Sequence, residues 1–226
     1  CRWRGNTKYR SRKDSIMLGK PDDVTVVVAS YKYGHLAAHC IESLLSQTRL
    51  PDRVLFVDDG VGDCKHLPRI YPTVDYVMRE VNMGTAENFQ DMLMRVDTQY
   101  TMFLGADNWL RSDTIEKLME KTPEADIVTY EIMVTGEHKM NHPDAHAPDA
   151  IHGGDVWWRR QGHHGSMLYR TSYGQAAGYA RREGRANSEE DWVLWDRMKE
   201  MGARIFHVPE PLLYYRRHRE NFIACD

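Results

Sequence analysis

In this 226-residue chain, the stretch that most limits the fold is Tyr100 to Leu110, YTMFLGADNWL, an apolar and aromatic run that stops at Asp107 and Asn108. A strand covered on both faces reads as a continuous apolar segment, as the strands of parallel sheets do. Carboxylates just past the carboxyl end of such a strand stand in the crevice where open α/β sheets bind ligands. Two readings of Asp107-Asn108 stay open at this level. One is a plain turn, because Asp and Asn side chains bond their own backbone; the other is a carboxylate that faces a metal ion or a phosphate.

The rest of the chain repeats the same grammar. Val24 to Ala29, VTVVVA, is unbroken and β-branched, and Leu36 to Gln47 carries apolar residues at helical spacing. A second strand, Arg53 to Val57, ends in Asp58-Asp59-Gly60, again a turn or a pair of ligand-facing acids. Val74 to Arg79 reads as a third strand, and Thr85 to Val96 as a helix capped by Thr85. After the strand Tyr100 to Leu104, Ser112 to Lys121 reads as a helix capped by Ser112 or Asp113. Ala125 to Val134 reads as a strand and 136 to 154 as a long loop. A short strand over 165 to 170, a helix from Tyr173 to Ala177 and a helix from Asp191 to Met201 closed by Gly202 follow. Two extended pieces, Ile205 to Val208 and Leu212 to Tyr215, end the pattern. Strands alternating with helices imply a parallel sheet with right-handed crossovers.

Composition narrows the function classes. With 42% hydrophobic and 28% charged residues the chain is expected to fold around a sizeable core. A formal net charge of -3 supplies no basic field for nucleic acid. Residues 1 to 20 are basic and read as a solvated arm, leaving 21 to 226 as one domain. Cys1, Cys40, Cys64 and Cys225 form no CxxC pair and are read as reduced thiols, which points to a cytoplasmic setting. No apolar run approaches the ~20 residues a membrane-spanning helix needs, so membrane association would come through a segment outside this chain. His138, His142, His146, His152, His163 and His164 match no compact zinc-ligand spacing.

VTVVVASY, LFVDDG and FLGADN in that order, followed by SEEDWVLW and YYRRHREN, resemble the family 2 glycosyltransferases with a GT-A fold. The resemblance covers about residues 22 to 222; no one motif is specific, but their order and spacing are. It implies a Rossmann-like, mostly parallel central sheet flanked by helices. Residues 21 to 110 would form the nucleotide-binding half and 111 to 226 the acceptor-binding half. The implied reaction is inverting transfer of a hexosyl or deoxyhexosyl group from a nucleoside-diphosphate sugar, UDP favoured, to a hydroxyl of a glycan or other acceptor.

The resemblance also assigns residues. Ser30, Tyr31, Asp58 or Asp59, Asp107 and Asn108 would bind the nucleotide sugar, with a carboxylate accepting an N–H of the base. Asp107 occupies the second acidic position of a DxD-type motif that holds Mn2+ or Mg2+; Gly105, or Ala106 in a closer register, stands where the first acid belongs. His218 maps onto the histidine of a terminal YR-x-H motif as a second metal ligand, with Arg216 or Arg217 near the diphosphate. Asp191 of the ED pair maps onto the general base, with Glu190 orienting the acceptor. Glu87 replaces a cation found in relatives, which leaves Arg79 as a substitute. His163, His164 and Trp192 are expected on the acceptor side, and Trp157 and Trp158 either stack on a sugar or fill the core. Two other classes compete: a catalytically silent GT-A domain that binds a sugar nucleotide or glycan within a larger assembly, and a nucleotidyltransferase. The latter would want a Gly-rich, lysine-bearing phosphate loop after the first strand, and Ser30 to His35 has none.

Overall fold

Seven residues without a charge leave Val24–Ser30 no face to offer water, and in the computed structural model this segment is the central strand β1. The structure describes residues 22–159, 165–184 and 189–221. β1 pairs in parallel with β2 (Arg53–Asp58) on one side and β4 (Tyr100–Gly105) on the other, and β3 (Asp75–Met78) extends the sheet beyond β2. The chain therefore walks outward from β1 to β3 and then crosses back to β4. That reversal is the switch point of the sheet, and open sheets of this kind bind ligands in the crevice just outside the carboxyl ends of the strands there, here β1 and β4.

Helices cover both faces because each strand is apolar on both. α1 (Ala37–Leu45) sets Cys40, Ile41 and Leu44 against Val24, Val26 and Val28. α3 (Thr85–Leu93) sets Met92 and Leu93 against Val27, Val57 and Phe103 on the other face. A single turn, α2 (Leu67–Ile70), adds Leu67 to the first layer, and α4 (Thr114–Met119) adds Ile115 and Leu118. α5 (Thr171–Ala177) and α6 (Glu190–Glu200) lie on the α3 side, where α6 buries Leu194, Trp195 and Met198.

Beyond β4 the sheet becomes mixed, in the order β4, β9 (Leu168–Arg170), β6 (Ile127–Thr135), β10 (Ile205–Arg216), β5 (Trp109–Leu110). β9 runs antiparallel to both neighbours, while β6 and β10 form a long parallel ladder. The architecture is the mixed, mostly parallel sheet with flanking helices expected of a GT-A-like fold. No helix among the described residues is long and apolar enough to cross a membrane.

Several local expectations are corrected. The 136–154 segment is not a bare loop: a 3-10 turn at Lys139–Asn141 leads to β7 (Ile151–Gly153), which forms a hairpin with β8 (Val156–Arg159). Trp157 pins this segment, donating its indole N–H to the Lys139 carbonyl at 2.9 Å while only 1% exposed, so it fills the core and cannot stack on a sugar. The two C-terminal extended pieces are one strand, β10, with register shifts around Pro211 where the prolines remove donors from the ladder. Thr85 does not cap α3; the capping position is Gly84, at φ 83°. Asp113 does hold the position before α4, but its carboxylate binds Arg111 rather than the helix N–H groups. Cys40 and Cys64 are unpaired and buried.

Candidate active site

The crevice outside the carboxyl ends of β1 and β4 is a cleft of about 590 Å³, within the size range of small-ligand sites. Its walls come from remote parts of the chain: the loop after β1, Asp59 after β2, Gly105 to Asn108 after β4, Glu190 at the start of α6, and Tyr215, Glu220 and Asn221 at the end of β10. Four lining carboxylates, Asp59, Asp107, Glu190 and Glu220, face a single lining lysine, Lys32, among the described residues. Such a cleft has no net positive charge with which to hold a diphosphate.

The two acids after β2 part company. Asp58 is 1% exposed and does not line the cleft. Its two oxygens accept the backbone N–H groups of Val61, Gly62 and Cys64 at 3.0 to 3.3 Å, which knots the following loop. Asp59 faces the cleft, and its Oδ1 accepts the Met83 N–H at 3.0 Å with Arg79 Nε at 3.5 Å. Arg79 itself lies behind the cleft, donating to Asn88 at 3.0 Å and to Asp91 at 2.6 Å. It buttresses Asp59 and is not among the lining residues.

Asp107 is delivered by the turn that ends β4. A Cβ at Gly105 would lie 2.7 Å from Asp107 Oδ1 and 2.9 Å from Asn108 Nδ2, so a side chain there displaces both neighbours. Ala106 is fully buried in the core. With Gly105 and Ala106 in place of the first acid of the DxD-type pattern, Asp107 alone is presented. Asn108 lines the cleft but uses Oδ1 to accept the Arg216 N–H at 2.9 Å, which ties β4 to the end of β10.

His218 is brought to Asp107 by the chain turning back after β10, with Nε2 3.2 Å from Asp107 Oδ2. Two ligands at right angles on a hard divalent ion with bonds of ~2.1 Å stand about 3 Å apart. The separation of the pair therefore fits such an ion, with one carboxylate that lines the cleft and one imidazole that is not among the lining residues. The Glu220 N–H approaches His218 Nδ1 at 3.3 Å, so the two ring nitrogens face different partners. A cation held by Asp107 Oδ2 and His218 Nε2 would take the place of their direct contact. Arg216 and Arg217 do not line the cleft: Arg216 lies over the Trp109 ring at 4.8 Å, and Arg217 is 4% exposed. A second group of candidate ligand atoms, Asp58, Asp63 and Cys64, lies outside the cleft lining.

Glu190 and Asp191 begin α6, where the helix dipole favours carboxylates. Glu190 lines the cleft, whereas Asp191, next to it, is not among the lining residues. Asp191 is half-buried beside Gly165, whose Cβ, if present, would stand 3.2 Å from Asp191 Oδ2. Burial, and then the adjacent Glu190 charge, push the Asp191 carboxyl up to about 6. Glu189, just before, takes a left-handed φ of 44°, uncommon for a residue with a side chain, and meets Arg182 at 3.4 Å.

Ser30 and Tyr31 line the cleft as the sequence predicts, with the Ser30 Oγ 3.4 Å from Cys64 Sγ. Trp192 is 43% exposed on the first turn of α6. His163 and His164 lie outside the described residues. Sequence reasoning missed Lys32, Glu220 and Asn221. Asn221 is the last residue of the quoted YYRRHREN run, yet nothing local marks it as a partner of Asp107.

Comparison with known proteins bears on this geometry. The family model described as glycosyl transferase family 2 matches residues 25–172. Glycosyltransferase GlyA of Streptococcus pneumoniae serotype 4 is 28% identical over 108 residues, which is 46% of this chain and 15% of that protein. Residues 1–349 of S. aureus TarS superpose with a TM-score of 0.64 at 15% identity, covering 86% of this chain and 60% of that one. The same fragment in complex with UDP-GlcNAc gives a TM-score of 0.66 at 15% identity, covering 87% and 59%. The chain thus spans about three-fifths of these structures and a small part of GlyA. A family model matched over more than half of its length shows that the chain belongs to glycosyl transferase family 2.

Proposed function

We propose that this chain is the donor-binding and catalytic domain of an inverting glycosyltransferase, moving a hexosyl or deoxyhexosyl group from a UDP-sugar to a hydroxyl of a glycan or similar acceptor. The observation that carries the proposal is the meeting of Asp59, Asp107 and Glu190, with Asp191 beside Glu190, around one cleft at the sheet's switch point. UDP is favoured as the carrier because crystals of the similar TarS fragment hold UDP and UDP-GlcNAc. A uracil imide N–H is a donor that Asp59 can accept.

Each residue then has a chemical task. Asp59, steadied by Arg79 and the Met83 N–H, receives the base, and Ser30 and Tyr31 wall the nucleoside. Asp107 and His218 would hold Mn2+ or Mg2+, which supplies the positive charge that the leaving diphosphate needs and the lining lacks. Asp191 takes the proton of the acceptor hydroxyl as its oxygen bonds to the anomeric carbon. The bond from that carbon to the β-phosphate oxygen breaks with its electron pair leaving on the diphosphate, and attack from the opposite face inverts the centre. Glu190 in the cleft orients the acceptor, and the exposed Trp192 ring offers a sugar a stacking face.

The test is a panel of UDP-sugars with Mn2+, comparing wild type with Asp191→Asn and reading the anomeric configuration of the product by NMR. An inverted product that Asp191→Asn loses is expected. Retained configuration, or full activity in Asp191→Asn, overturns the mechanism. UDP binding with no turnover of any donor would instead identify a silent sugar-nucleotide-binding domain.

A further inference from the structure

The turn that carries His218 is closed by one side chain. Asn221 is 8% exposed, and its amide makes three bonds to three different places. Nδ2 donates to Asp107 Oδ2 at 3.1 Å and to the Arg216 carbonyl at 3.0 Å, while Oδ1 accepts the His218 N–H at 2.7 Å. The Asn221 N–H closes the same turn onto the His218 carbonyl at 3.2 Å. One planar group thus joins the end of β4, the end of β10 and the backbone of the histidine. Outside the turn, Tyr33 steadies it by donating its hydroxyl to the Glu220 carbonyl at 3.2 Å and by an edge contact of its ring with His218.

We propose that Asn221 is the positioning residue that sets Asp107 and His218 in register for one divalent cation. This rests on the reading of Asp107 and His218 as the cation's ligands. Gly105 and Ala106 supply no second acid before Asp107, so a neighbouring carboxylate of the DxD type does not fix its orientation. A donor on Oδ2 fixes the carboxylate's rotation, and the bond to the His218 N–H fixes how far the imidazole reaches. Groups that hold ligands in this way typically change metal affinity by about 10- to 100-fold when removed.

Calorimetric titration with Mn2+ of the protein alone and of the protein holding UDP tests this without relying on turnover, using wild type, Asp107→Asn, Asn221→Ala and the double variant. Asn221→Ala is expected to raise the Mn2+ dissociation constant by about tenfold or more. In the Asp107→Asn background the same change should add little, because coupled residues are not additive. In turnover, the deficit of Asn221→Ala should shrink as Mn2+ is raised, a shift in metal half-saturation rather than in the limiting rate. Asn221→Ser keeps one polar oxygen that cannot bridge both partners, and it serves in the same direction if the alanine variant does not fold. Asp107-dependent Mn2+ binding that is equally tight in Asn221→Ala overturns the role of Asn221 and leaves the ligand assignment standing. Mn2+ binding that ignores Asp107→Asn overturns the ligand assignment itself.

Discussion

Asp191 owes its raised proton affinity first to burial and then to the Glu190 charge, and the sign of the consequence is fixed. A carboxyl displaced upward to about 6 is protonated, and so useless as a base, in mildly acidic solution. kcat/KM is therefore expected to rise with pH through about 6 and then level off. Glu190→Gln removes the like charge and should move that acidic limb to lower pH, a shift that a pH profile of kcat/KM reads directly. Asp191→Asn should lower kcat by about 10²- to 10⁴-fold, the usual range for a general base. The same displacement works against stability: between its ordinary value and about 6 the folded chain holds a proton that the unfolded chain has released. This residue's contribution therefore falls as pH rises through that window. At Gly105 the geometry predicts that Ala, whose Cβ meets Asp107 Oδ1 at 2.7 Å, destabilises by about 1–3 kcal/mol and weakens Mn2+ binding. Thermal melts with and without Mn2+ separate the two effects.

Among the elements, the buried strands were legible because continuous apolar runs such as Val24 to Ala29 have one physical solution. The hairpin of β7 and β8 was not, since Ile151–Gly153 is exposed throughout and carries no alternation for a pattern to show. β10 reads as two pieces because Pro209 and Pro211 interrupt the ladder, although the chain continues past them as one strand. Asp58 and Asp59 are indistinguishable in sequence; only the loop's backbone N–H groups, gathered on Asp58, decide which acid is left for the cleft. Arg79 turns to Asn88 and Asp91 on α3, and Asn221 reaches Asp107 at the end of β4, contacts that neither motif nor period reports. The start of β6 rests on Asp126, which accepts from Arg204 beside β10 and from Arg170 at the end of β9. Arg204, foremost, holds the Asp126 carboxyl down to about 2. Its stabilising contribution is present above the ordinary carboxyl value and lost as pH falls from about 4 toward about 2. Asp126→Asn should lower the melting temperature at neutral pH and shrink the difference from wild type in acid, as circular dichroism melts across that range would show.

At the scale of the whole molecule, one topological reversal organises the chemistry. By returning from β3 to the far side of β1, the chain sets Asp59 and Asp107 on the same sheet edge, and the crossing of α6 and the end of β10 adds Glu190 and Asn221. That arrangement concentrates negative charge in the cleft proposed to take the diphosphate, so donor binding and cation binding are expected to depend on each other. Thermal melting with UDP in the presence and absence of Mn2+, for wild type and Asp107→Ala, probes this coupling most directly. For wild type, UDP at a hundred times its dissociation constant should add ~2.7 kcal/mol with Mn2+ present and far less without it. Asp107→Ala should lose the Mn2+-dependent part; an undiminished Mn2+-dependent shift in that variant would contradict a cation-bridged diphosphate at Asp107.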